Sequence, residues 1–118
     1  MATTLYTTCL QIGYLIRTTP TALSLGRHNF SATTVGDYAL FGGGTYSDGS
    51  QSRLSAVVDA YDGNLTRSLP NGFSVERQLA VAITVGDYAL FCGGTISTSY
   101  TSDTTESNYS AVVDAYAV

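Results

Sequence analysis

Residues 35–44 read VGDYALFGGG, and residues 85–94, fifty positions later, read VGDYALFCGG. A repeat period near fifty residues that contains a Gly-Gly pair is typical of β-propeller blades. Within the phrase, Gly36-Asp37 predicts a type II′ turn between two strands, because Gly provides the positive φ that the first turn position requires. Gly42-Gly43 predicts a place where two backbones approach closely. The phrase therefore predicts an all-β repeat protein.

The repetition extends on both sides of this phrase. Residues 55–61 and 110–116 both read SAVVDAY, whereas the segments before them, 45–54 and 95–109, differ by five residues in length. Residues 1–20 match the chain fifty positions downstream at Gly13, Leu15, Arg17 and Pro20. We therefore divide the chain into three parts: 1–22, the degenerate end of a preceding blade; 23–72, a first complete blade; and 73–118, a second blade without its fourth strand.

Each repeat is predicted to hold up to four strands. The first covers 29–35 and 79–85, the second begins at Tyr38 and Tyr88, the third covers 55–61 and 110–116, and the fourth covers 65–69. In 79–85 both strand faces are small or apolar, with Leu79, Val81, Ile83 and Val85 on one and Ala80, Ala82 and Thr84 on the other. Such a sheet is predicted to be covered on both faces, as a blade is between its neighbours.

The repeat resembles the kelch family of β-propellers over nearly the whole chain. Three features carry the resemblance, an Arg before the first strand, a Gly-Gly pair after the second and a Tyr ending the third: Arg27 and Arg77, Gly42-Gly43 and Gly93-Gly94, Tyr61 and Tyr116. Leu65 stands where kelch repeats usually carry a Trp. The resemblance implies four-stranded antiparallel blades around a central axis.

Two blades are too few for a propeller, which typically needs four to eight. Unpaired strand edges and open sheet faces recruit other chains. We therefore expect copies of this chain to associate head to tail, with residues 1–22 of one copy completing the last blade of the next. Three copies would form a six-bladed ring and four an eight-bladed ring, and a rotation that does not close would form a filament. The alternative is that the sequence is a piece of a longer gene product.

The composition argues against nucleic-acid and membrane partners. The net charge is −4, and the five basic residues are all Arg and are scattered along the chain, whereas binding to phosphates needs clustered basic residues. No segment reaches the roughly 18 apolar residues that cross a bilayer. The N-terminus lacks the basic start and apolar core of a secretion signal, so we expect a cytoplasmic location by default.

Catalytic and metal-binding residues are sparse. His28 is the single histidine, and Gln78 occupies the equivalent position in the second repeat. Cys9 and Cys92 lack metal-site spacing and are predicted to be ordinary thiols. Asp59 and Asp114 recur with the repeat, which favours a structural role over catalysis. We therefore expect no cofactor, no metal and no enzymatic activity; an enzyme of the kelch-like epimerase or oxidase type is the alternative.

The two variable loops, from Tyr46 to Arg53 and from Ile96 to Tyr109, are the predicted binding surface. They combine aromatic, hydroxyl and acidic side chains, a mixture that suits adaptable hydrogen bonding around aromatic anchors. The candidate residues are Tyr46, Ser47, Asp48, Gln51, Arg53, Tyr100, Asp103, Glu106 and Tyr109. We expect a non-catalytic binding or scaffolding module whose loops contact a protein, a peptide or a glycan. A purely structural subunit of a ring or filament, with no separate ligand, is the alternative.

Overall fold

The computed structural model describes residues 15–97 and 108–118, which form two antiparallel β-sheets and a separate β-hairpin. Sheet I has the order β1-β2-β5-β6: Ser31–Val35, Tyr38–Gly42, Val58–Tyr61 and Arg67–Ser68. The hairpin pairs β3 with β4: Thr45–Ser47 and Ser52–Leu54. Sheet II has the order β7-β8-β9: Val81–Val85, Tyr88–Cys92 and Val113–Ala117. The predicted all-β chain with antiparallel sheets is confirmed.

The repeated phrase forms a β-hairpin in both sheets. Val35 pairs with Tyr38, and Val85 pairs with Tyr88, so each turn contains two residues. Gly36 and Gly86 have φ angles of 55° and 53°, as the first position of a type II′ turn requires. The hairpins predicted from the sequence are therefore confirmed.

Several strands are shorter than predicted, and backbone geometry explains where they begin. Asn29 and Leu79 have φ angles of 58° and 60°, so the first strand of each repeat begins two residues later, at Ser31 and Val81. The third strand begins at Val58 and not at residue 55, after a turn in which the Val57 N–H donates to Ser55 Oγ at 3.0 Å. The left-handed region interrupts regular strand pairing.

The segment predicted as the first variable loop contains the β3–β4 hairpin. Gly49 at its tip has a φ of 98°, and the Asp48 N–H donates to the Gln51 carbonyl oxygen at 3.1 Å. An Asp-Gly pair between β-forming residues is a strong hairpin signal. This loop is therefore an ordered ribbon beside sheet I.

The two sheets pack face to face, with β1 against β7 and β8. We call the sheet I surface that bears Val35, Leu40, Val58 and Ala60 its forward face, and all four residues are buried. It packs on the surface of sheet II that bears Ala89 and Phe91, which we call the rear face of sheet II. The core of the described residues therefore lies between two unlike sheet faces.

Phe73, in the segment between the sheets, closes one end of this core. Its ring packs on Phe91, with the centroids 5.1 Å apart, and covers Gly42 and Gly43. A Cβ built on Gly42 would lie 2.6 Å from Phe73 Cζ, and one built on Gly43 would lie 2.6 Å from the Arg77 carbonyl oxygen. The Gly-Gly pair is thus a site of close approach, as predicted.

Each repeat contains a buried ion pair between an Arg and an Asp side chain. Arg27 Nη1 lies 2.9 Å from Asp59 Oδ2, and both side chains are fully buried. Arg27 also donates to the carbonyl oxygens of Gly43 and Phe41, at 2.7 and 2.9 Å. The equivalent pair in the second repeat joins Arg77 Nη1 to Asp114 Oδ2 at 2.8 Å. These planar guanidinium forks hold the segment before the first strand against the ends of the next strands.

Candidate functional site

The β3–β4 hairpin carries the predicted binding residues of the first loop. Tyr46 and Ser47 lie on β3, Arg53 lies on β4, and Asp48 and Gln51 lie in the turn that joins them. In the second loop Tyr109 is exposed and pairs with Thr95 in an isolated bridge. Three candidates lie outside the described residues: Tyr100, Asp103 and Glu106.

Asp48 organises the tip of the hairpin. Its Oδ1 accepts the N–H groups of Ser50 and Gln51 at 2.9 Å, and its Oδ2 accepts Arg53 Nε at 2.7 Å. The Arg53 guanidinium and these two N–H groups hold the pKa of Asp48 well below its usual range. Both carboxylate oxygens are thus engaged within the hairpin, so Asp48 shapes this surface.

A polar cleft of about 540 Å³ lies between this hairpin and the second repeat. Tyr46, Gln51 and Arg53 line one wall, and Glu76 and Ile96 line the other. The structure thus brings three predicted residues together with residues that were not candidates, among them Glu76 and Ile96. Glu76 could have been noticed, because its equivalent in the first repeat is Gly26, and asymmetry between repeats is a feature of functional surfaces.

Away from the loops, shifted pKa values belong to Asp114 of a buried ion pair and to its neighbour Tyr116. Burial by itself raises the pKa of Asp114, but hydrogen bonds from Arg77 and Ser74 outweigh this effect and hold the pKa below its usual value. Burial, with a further contribution from the nearby Asp114 carboxylate, raises the pKa of Tyr116 to about 12. Within 15–97 and 108–118, no group of His, Cys, Asp and Glu side chains is arranged to hold a metal ion. Cys92 is a free thiol.

The forward face of sheet II is open, although it repeats the residues that sheet I buries. Val35 and Val58 are 3% and 1% exposed, whereas their equivalents Val85 and Val113 are 57% and 56% exposed. Two positions on this face that are polar in sheet I are apolar in sheet II, since Ser31 and Thr33 are replaced by Val81 and Ile83. In the described part of the chain, only the rear face of this sheet has a partner sheet, so the cover predicted for its forward face stays a prediction.

The rear face of sheet I is the second open surface, and it repeats the residues that sheet II buries. Ala89 and Phe91 are fully buried between the sheets, whereas Ala39 and Phe41 are only half-buried. Phe41 lines an almost wholly apolar pocket of about 390 Å³, together with Leu23, Phe30, Tyr61 and Leu65. Each end of the two-sheet stack therefore displays a copy of a surface that is buried in its middle.

One side-chain hydrogen bond between the two repeats has no equivalent at the open forward face of sheet II. Thr45 Oγ1 donates to Gln78 Oε1 of the following repeat at 2.6 Å. The equivalent atom, Thr95 Oγ1, is buried and has no hydrogen-bond partner in the described part of the chain. His28 stands at the repeat position of Gln78. The second repeat thus has the donor of this contact without its acceptor.

No protein-family model and no curated protein sequence matches this chain. Among the described residues no helix has the length and apolar character needed to cross a bilayer.

Proposed function

We propose that this chain is a non-catalytic scaffolding and binding module, built from kelch-like propeller blades, whose copies associate head to tail. In this arrangement the forward face of sheet II in one copy packs on the rear face of sheet I in the next. The contact joins unlike faces, so it generates a ring of three or four copies if the rotation closes and a filament if it does not.

One observation carries the proposal: the open forward face of sheet II has residues of the same types as the buried forward face of sheet I. Four residues of the buried forward face of sheet I recur unchanged on the open forward face of sheet II, as Val85, Leu90, Val113 and Ala115. Large open apolar surfaces mark association sites in soluble proteins. Within the chain, the forward face of sheet I packs on the rear face of sheet II. The matching forward face of sheet II therefore supports the equivalent rear face, that of sheet I in another copy, as its partner.

Main-chain hydrogen bonds at the internal junction support the same arrangement, because they do not depend on side-chain identity. The Gly44 N–H donates to the Arg77 carbonyl oxygen at 2.9 Å, and the Phe73 N–H donates to the Ala56 carbonyl oxygen at 2.7 Å. In the junction between copies, the equivalent donors are Gly94 of one copy and Leu23 of the other. Their acceptors would be Arg27 and Ala111.

The open edge of sheet II offers a further contact. In sheet I, Arg67–Ser68 pairs with Tyr61 and Ala60 and thereby covers the edge of β5. No described strand covers the equivalent edge of β9. Residues 17–18 of the next copy have the repeat position of β6, so we assign them to this edge. Strand addition of this kind satisfies main-chain groups that an open edge leaves to water.

The polar cleft between the β3–β4 hairpin and Ile96 is the proposed ligand surface. None of its lining residues lies on the forward face of sheet II or on the rear face of sheet I. Its tyrosine, arginine and glutamate side chains suit hydrogen bonding to a protein, peptide or glycan. Tyr46→Ala is expected to reduce such binding and to leave the mass of the assembly unchanged.

Light scattering coupled to size-exclusion chromatography tests the assembly. The wild-type protein is expected to elute as a trimer, a tetramer or a broad distribution of larger species. Ile83→Asp places a charge in the centre of the open forward face and is expected to yield monomers. Leu69→Asp is the matched control, because Leu69 and Ile83 are both 56% exposed and Leu69 lies on neither open face. A wild-type monomer at high concentration, or equal effects of the two substitutions, would refute the proposal.

A further inference from the structure

Where sheets I and II meet within one chain, a large side chain, Phe73, packs against a residue without a side chain, Gly42. The outer ring atoms of Phe73 press on Gly42, with Cζ 2.6 Å and Cε1 3.0 Å from the position that a Cβ would take. The ring is almost fully buried, so it has little room to move away. This large side chain from the segment that precedes sheet II is therefore accommodated only because the sheet I position has no side chain.

On the two open faces, the equivalent positions have a larger residue in place of Gly42 and a smaller one in place of Phe73. Cys92 stands where Gly42 stands in the first repeat, and Leu23 stands where Phe73 stands in the second. Leu lacks the outer ring atoms that contact Gly42, whereas Cys adds a Cβ and a sulfur at that place. One side chain has become smaller and the other larger, and the summed volume is nearly kept.

Both residues are positioned to meet in a junction between copies. Cys92 lies on the open forward face, opposite Val81 and Val113 in the register of sheet II. Beside it, a Cβ built on Gly93 would have only the Ser110 carbonyl oxygen within 4 Å, at 3.3 Å, so the seat is open. Leu23 lines the pocket beside Phe41 on the rear face of sheet I, as Phe73 packs on Phe91.

We propose that Cys92 and Gly93 of one copy contact Leu23 of the next, and that this exchange of sizes sets the specificity of the junction. The inference rests on the proposed head-to-tail association. Cys92 of one copy fills the space that the Phe73 ring of another copy would need. The rear face of sheet II, which Phe73 accompanies, is therefore a poor partner for the forward face of sheet II in another copy. The pair of sizes therefore selects sheet I of the next copy and suppresses exchange of sheet II between copies.

A mixture of two half-blocked variants isolates a single junction. A copy with Ala32→Asp has a charged rear face on sheet I and keeps its open forward face, including Cys92. A copy with Ile83→Asp has a charged forward face on sheet II and keeps its rear face, including Leu23. Each variant alone is expected to be a monomer, and the mixture is expected to form a 1:1 dimer whose Kd is measured by sedimentation velocity or titration calorimetry.

The test is a double-mutant cycle across this dimer. Cys92→Gly in the first copy leaves a gap and Leu23→Phe in the second introduces a clash, and each is expected to weaken binding about tenfold or more. The two changes together recreate the Phe73–Gly42 pair, so the Kd is expected to return to within about threefold of the reference dimer. Thermal unfolding of each monomer alone controls for effects on folding.

The outcomes separate this inference from the proposed function. A reference mixture that does not dimerise would overturn head-to-tail association itself. A reference dimer in which the two substitutions act additively would leave the association intact and overturn the Leu23–Cys92 contact. Rescue by the combined substitutions would establish the contact and its dependence on size.

Discussion

Asp59→Ala is expected to lower the free energy of unfolding by about 3 kcal/mol, because it leaves the Arg27 guanidinium buried without its counter-charge. Both side chains are fully buried, and Nη1 and Oδ2 are 2.9 Å apart. Breaking a buried ion pair by removing one partner typically costs about 3–5 kcal/mol. The lower end applies here, since Arg27 keeps its hydrogen bonds to the carbonyl oxygens of Phe41 and Gly43.

The matched substitution Asp114→Ala is expected to cost about 2 kcal/mol, because water can replace part of what the carboxylate provides. The Asp114 side chain is 18% exposed, whereas that of Asp59 is fully buried. The difference follows from the strands around them: β5 lies between β2 and β6, but β9 has only β8 beside it in the described structure. The two pairs join the same residue types and differ in shielding, and Arg27 Nε donates to the Gly43 carbonyl oxygen whereas Arg77 Nε is without a partner in the described part of the chain.

Urea denaturation followed by far-ultraviolet circular dichroism measures both costs. The variants are compared in an Ile83→Asp background, so that association between copies does not add a concentration-dependent contribution to stability. The m-value is expected to stay constant, because the same surface is exposed on unfolding. A loss below about 1 kcal/mol for Asp59→Ala, or an equal or larger loss for Asp114→Ala, would contradict the role assigned to burial.

Two further predictions concern packing and ionisation. Gly42→Ala is expected to cost about 1–3 kcal/mol in urea denaturation, because its Cβ would overlap Phe73; Gly26→Ala, which meets nothing within 4 Å, is the control and should be nearly neutral. Tyr116 is expected to ionise at about pH 12 in absorbance titration, and Tyr116→Phe should remove that step. Since this folded-state pKa lies above the ordinary value of about 10, its contribution to stability is complete below about pH 10 and is lost as the pH rises through about 12. A Tyr116 step near pH 10, or equal costs at the two glycines, would contradict these assignments.

Much of the fold could be predicted because the two repeats give two sequences for most strands and turns, and the two could be compared. The turns at Gly36 and Gly86 depend on local chemistry and were correct. The strand ends were less accurate, since a left-handed backbone at Leu79 is not a preference of that residue type. The β3–β4 hairpin was missed although its Asp48-Gly49 turn was visible, because its length difference from the second repeat pointed to a loop.

The candidate site was predictable in part. Periodicity identified Asp59 and Asp114 as structural residues, but their partners Arg27 and Arg77 lie too far away in sequence for pairing to be deduced. The polar cleft depends on how the second repeat packs beside the hairpin, which a linear pattern does not encode. Open sheet faces were expected, because two blades are too few to close a ring, but the residues on each open face depend on how the two sheets pack against each other.

The inequality of the two open faces has a consequence for any row of copies joined through them. Such a row has polarity: one terminus always presents the valine-rich surface of sheet II and the other the Phe41 pocket of sheet I. Addition at either terminus forms the same contact, but an incoming subunit must present its sheet I face at one terminus and its sheet II face at the other. A trace of chains disabled on a single side would then arrest growth at one terminus and leave the opposite one active.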